Sequence, residues 1–159
     1  MSYTGTASID NGLIEKYIAI CPLVNESPTS WLLQLATFIK SKMTENDNTV
    51  FTLCGYYYSK RIVISTNTKN LKIKVHPDDQ GIVFSGESNY ISHLINYELV
   101  VFDYGKFTMQ DSVDFLRFLV KTVSGLMQFG QCLPTVSEEC DILAIYSNNA
   151  YWVQHSVLH

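Results

Sequence analysis

Apolar residues recur along this chain with two different periods, and the switches between them mark its elements. Ser27-Pro28-Thr29-Ser30 supplies a hydroxyl cap and a proline suited to a first helical turn. Trp31, Leu32, Leu35, Ala36, Phe38, Ile39 and Met43 then recur at three and four residues until the polar run TENDN at 44–48. This spacing predicts an amphipathic helix. Thr108 to Asp111 has the form of a capping box with Asp in place of Glu, and Val113, Leu116, Leu119, Val120, Val123, Leu126 and Met127 follow before Gly130. It predicts a second helix, apolar over a broad face. A shorter third helix is expected in SNYISHLINY, 88–97, where Tyr90, Ile91, Leu94 and Ile95 share a side.

Between residues 50 and 102 the period changes. Short β-branched or aromatic runs, VFTLCGYYY, RIVIS, LKIKV, GIVF and ELVVF, alternate with turn material, TNTKN at 66–70 and HPDDQG at 76–81. Connections this short form hairpins, so an antiparallel meander is expected. Within LKIKV the alternation places Leu71, Ile73 and Val75 inward and Lys72 and Lys74 in water. A last hairpin is expected where DILAIYS and AYWVQ flank Asn148-Asn149, residues that tolerate a tight turn. The order of helix, strands, helix and hairpin predicts an α+β fold over residues 1–159 as a single domain. In it, an antiparallel curved sheet of about five to seven strands carries two main helices on one face.

Composition narrows the functional classes. A chain of 159 residues, 47% hydrophobic and only 16% charged, buries a sizeable core without staples and leaves some apolar surface for a partner. The longest apolar runs fall far short of the ~20 residues of a membrane span, so no membrane role is expected. The N-terminus MSYTGTASIDNG lacks the form of a secretory signal, which makes the cytoplasm the expected location. Cys21, Cys54, Cys132 and Cys140 contain no Cys-x-x-Cys pair and are expected as thiols.

Charge adds a division. Lys60, Arg61, Lys69, Lys72 and Lys74 occupy one window with no acid, while the rest carries six cations against fifteen acids. A strongly acidic remainder attracts basic proteins and repels nucleic acid. In GYYYSKR, 55–61, strand alternation puts Tyr57 with Phe51 and Leu53 on a buried face and leaves Tyr56, Tyr58 and Lys60 in phase outside. Such a platform suits base stacking and defines an alternative reading, a nucleic-acid module using Tyr56, Tyr58 and the basic 60–74 strands. The acidic surplus weighs against it, as does the mismatch of GYYYSK to the ribonucleoprotein strand consensus.

Catalytic chemistry finds little footing. Cys140, Asp141 and His155 would share the last hairpin and define a second alternative, a thiol hydrolase. His76, His93, His155 and His159 show no ligand spacing, no glycine-rich phosphate loop occurs, and neither metal nor cofactor is expected. Asp78-Asp79 reads as turn chemistry.

A binding module remains. The chain, above all its end LPTVSEECDILAIYSNNAYWVQ, resembles the small immunity proteins of bacterial toxin–immunity systems in length, acidity, α+β pattern and tyrosine content. The resemblance implies a non-enzymatic protein that captures a cognate toxin domain, often a basic nuclease, and covers its active site or a neighbouring surface. From the residues themselves, Glu138, Glu139 and Asp141 are the first choice for the opposing charge, and Asp78 and Asp79 the second. Tyr56, Tyr58, Tyr151 and Trp152 are the candidate aromatic anchors.

Overall fold

The computed structural model describes residues 1–6, 8–9, 12–22, 27–78, 81–85, 88–95, 102–130, 140–146 and 149–154. The chain divides into two compact units, Met1–Gly86 and Glu87–His159.

The first unit opens with strand β1 (Ser2–Gly5), a small ladder of β2 (Ser8–Ile9) with β3 (Gly12–Leu13), and helix α1 (Ile14–Ile20). Helix α2 (Pro28–Lys40) begins where the sequence predicts. The Ser27 hydroxyl accepts the Ser30 N–H at 3.2 Å, and Pro28 occupies a first-turn position that needs no donor. Leu32, Leu35, Ala36 and Ile39 form its buried stripe at three- and four-residue spacing. Each fully buried leucine or isoleucine contributes about 1.5–3 kcal/mol.

Strands β4 (Thr49–Tyr57), β5 (Lys60–Asn67) and β6 (Lys74–His76) complete an antiparallel four-stranded sheet in the order β1-β4-β5-β6. Helix α2 packs on β4 and β5. Phe51 and Ile64 point from these strands into the cluster that holds Ile14, Leu32, Leu35, Ala36 and Ile39. Thr4, opposite Val50 on β1, faces the other way, and its hydroxyl meets Ser85 Oγ at 3.1 Å. The chain that leaves β6 at one edge of the sheet has therefore returned to β1, at the other edge, by Ser85.

Several strand expectations need correction. GIVF is not a strand: residues 81–85 belong to that return segment and pair with no neighbour in a ladder. LKIKV contributes only its last two residues to β6: Leu71 adopts φ +55°, and the Lys72 N–H is taken by Asn70 Oδ1 at 3.0 Å. Val75 is 68% exposed rather than inward, even though it pairs with Ile64. His76, the next residue, is buried instead, with Nε2 in a 2.8 Å hydrogen bond to Ser65 Oγ. ELVVF lies outside the described residues except for Phe102.

In the second unit, α3 (Ser88–Ile95) precedes a single 3₁₀ turn at 104–106 and α4 (Met109–Phe129). The Thr108–Asp111 capping box is present, and α4 ends at Gly130. A hairpin of β7 (Ile142–Tyr146) and β8 (Asn149–Gln154) follows. The fold is α+β and antiparallel. Among the described residues it comprises one four-stranded sheet and two two-stranded ladders, in place of one larger sheet. No helix among these residues is long and apolar enough to cross a membrane.

Candidate partner-binding surfaces

The β7–β8 register sorts the hairpin into two faces. Leu143 pairs with Trp152 and Ile145 with Ala150, while Ala144 pairs with Tyr151 and Ile142 with Gln154, with a bulge between Ile142 and Leu143. Paired residues stand on the same side of a sheet. Ile142 and Ala144 are buried, and Gln154 beside them accepts a 3.0 Å hydrogen bond from Arg117 Nε, so this face turns toward α4. The opposite face presents Leu143 at 40% and Trp152 at 54% exposure. Adjacent positions alternate, so Tyr151 and Trp152, both exposed, are not a joint anchor on one face.

Helix α4 adds apolar surface of its own. Its polar residues Gln110, Asp114, Arg117, Lys121 and Gln128 recur at helical spacing along one narrow stripe, and most of the remaining circumference is apolar. The core takes Val113, Leu119, Val123 and Met127. Phe118, Leu126 and Phe129 remain exposed, the last at 91%. The helix start is fixed by rings: Phe115 meets Phe102 at 4.9 Å, Phe107 at 5.5 Å and Tyr104 at 5.9 Å between centroids. Burial pushes the Tyr104 hydroxyl above its ordinary pKa.

Asp141 is exposed directly ahead of β7, two positions from Leu143. Glu138, Glu139 and Asp79 lie outside the described residues, whereas Asp78 is exposed just beyond β6. The charges follow the two units. Residues 1–86 carry eight cations and seven acids, a balance of +1, and residues 87–159 carry three cations and eight acids, a balance of −5. Leu143, Phe118, Leu126 and Phe129 are absent from the sequence-based set of contact residues. Strand alternation separating Leu143 from Ile142 and Ala144, and the narrow polar stripe of α4, are the signals that mark them.

The tyrosine platform takes a different form from the one expected. Tyr58 is not a strand residue: with Ser59 it forms the two-residue turn between β4 and β5. Lys60 consequently pairs with Tyr57, and Arg61 with Tyr56, so Tyr56, Tyr58 and Lys60 share no common face. Tyr57 is 38% exposed rather than buried, and Tyr56 is half-buried.

For chemistry, Cys140 is half-buried and its Sγ lies 4.0 Å from Gln154 Nε2, while His155 lies outside the described residues. Among the described residues no three His, Cys, Asp or Glu side chains stand together as a metal site. A hollow of about 520 Å³ beside α2 is lined by Cys21, Pro22, Leu33, Gln34, Thr37 and Phe38. Burial raises the pKa of the Cys21 thiol, which disfavours the nucleophilic thiolate.

Comparison with protein-family models, with curated proteins and with solved structures finds no significant match for this chain.

Proposed function

We propose that this chain is a non-enzymatic immunity protein, which binds a cognate bacterial toxin domain stoichiometrically through its acidic second unit. The observation that carries the reading is the exposed Leu143–Trp152 pair with Asp141 alongside it, in a unit of charge −5. A large ring beside an aliphatic side chain is the kind of anchor that dominates binding energy once water is excluded around it. The acidic surplus of the unit steers a basic partner, such as a nuclease domain, and close charge pairs in such complexes couple by ~1.5–7 kcal/mol. Exposed Phe118 and Phe129 on α4 extend the apolar area of this unit. Residence in the cytoplasm, where a toxin would otherwise act on its own producer, belongs to the same proposal.

The test is titration of the purified chain with the toxin domain encoded by the adjacent gene. A one-to-one complex whose association slows with added salt is expected. Trp152→Ala should weaken it by roughly thirtyfold, the scale of a central anchor. Replacing Glu138, Glu139 and Asp141 together by Lys should slow association about tenfold. Absence of a complex, or a complex indifferent to both changes, removes the proposal.

A further inference from the structure

A second exposed surface lies in the first unit, at the tip of the β4–β5 hairpin. Tyr57 and Lys60 close the ladder, and the two residues between them, Tyr58 and Ser59, have φ of +49° and +63°. Positive φ at both central positions is the mark of a type I′ turn, which normally takes Asn-Gly because a Cβ is disfavoured there. This chain instead places a tyrosine at the apex, 85% exposed, with its ring centroid 4.4 Å from that of Tyr57 and tilted by 59°. Tyr56 stands across the ladder from Arg61 on one face, and Tyr57 across from Lys60 on the other. Within six residues the tip thus gathers three phenol rings and two cations. No acid occurs between Asp47 and Asp78, and the unit as a whole carries +1. The acidic surplus that weighs against nucleic acid in the whole sequence belongs to the other unit.

The geometry points to this tip as a docking site for single-stranded nucleic acid, with a base stacked on Tyr58 and the flanking phosphates held by Lys60 and Arg61. Rings at a hairpin apex need an unstacked base to lie on, which a single strand offers. A lipid surface fits less well, because no aliphatic side chain lies between Gly55 and Arg61 to enter hydrocarbon. The site belongs to the first unit, whereas the surface proposed for the toxin belongs to the second.

The experiment is a fluorescence-anisotropy titration of a labelled oligothymidylate of about 12 nucleotides with the full chain at low salt. Saturable micromolar binding is expected, with a slope of log K against log salt of about −1.4 for two phosphate contacts. Tyr58→Gly suits the positive φ, so the fold is retained while the ring is lost, and binding should fall roughly tenfold. Lys60→Ala should reduce the slope by about 0.7. Trp152→Ala should leave oligonucleotide binding unchanged, which separates this site from the toxin surface. No binding at tens of micromolar protein, or binding indifferent to Tyr58→Gly, overturns the inference. Vesicles rich in phosphatidylglycerol serve as the parallel probe, and their binding in place of the oligonucleotide also overturns it, in favour of a membrane contact.

Discussion

Thr108 and Asp111 hold each other at the start of α4. The Thr108 hydroxyl and backbone N–H donate to one carboxylate oxygen of Asp111 at 2.6 and 2.8 Å, and the Asp111 N–H donates back to the Thr108 hydroxyl at 3.1 Å. The hydroxyl bond first, then the backbone bond, hold the Asp111 carboxyl below the usual range. Asp47 repeats the arrangement ahead of β4. It accepts the Thr44 N–H at 2.9 Å and hydroxyl at 2.8 Å, and its pKa is lowered by the same kinds of bond, the backbone one leading.

Stability should therefore decline in acid. A carboxyl whose folded pKa is depressed contributes fully above its unfolded value of about 3.9, and that contribution is lost as pH falls through the folded value. The melting temperature is expected to be level from neutrality to about pH 5 and to fall below about pH 4. Asp111→Asn should lower the melting temperature at neutral pH and remove part of the acid decline. An unchanged pH profile in that variant would show that the capping box carries none of the decline.

Burial at the edge strand inverts the simple alternation of LKIKV, and paired substitutions read this out. Val75 projects largely into water, so Val75→Ala should change stability by less than about 0.5 kcal/mol. His76→Ala removes a buried side chain and strips half-buried Ser65 of its 2.8 Å partner, and should cost at least about 1 kcal/mol. Urea unfolding of both variants decides the matter. The reverse order of costs would restore the register in which Val75 faces the core.

What the sequence discloses follows from how local each determinant is. Helices α2 and α4 are legible because Ser27 and the Thr108–Asp111 pair lie within one turn of the apolar stripes they introduce. Strand β1 is not, since SYTG has little apolar content and its pairing with β4 joins residues more than forty positions apart. Helix α1 carries only a short signal, Ile14, Ile18 and Cys21 recurring at four and three residues. The Tyr58–Ser59 turn escapes because neither Gly nor Asn marks it, so strand alternation continues through it on paper. At the candidate surface, Trp152 is visible as an aromatic residue near acids. Its partnership with Leu143 follows from Asn149 being the first residue of β8, opposite Tyr146, rather than part of the expected Asn148-Asn149 turn, which would have set Ile145 opposite Trp152.

Gly5 offers the sharpest test of the first unit. It ends β1 opposite Thr49 with φ +113°, a conformation that side-chain-bearing residues rarely adopt. A Cβ built there would lie 2.2 Å from the carbonyl oxygen of Asn48, and backbone cannot swing aside as a flexible side chain would. That same oxygen accepts the Thr6 N–H at 3.0 Å, so relieving the clash disturbs the bond that ties the chain after β1 to the start of β4. Strain at such a position costs about 1–3 kcal/mol before the disturbed bond is counted, so Gly5→Ala should destabilise by about 2 kcal/mol or more. Gly55, in the middle of β4, has nothing within 4 Å of the corresponding Cβ position. Gly55→Ala should be neutral or stabilise by up to about 1 kcal/mol, because alanine narrows the unfolded ensemble without strain in the folded one. Chemical denaturation of the two variants side by side checks the contrast. Equal effects would mean that β1 does not depend on the backbone contact between Gly5 and Asn48.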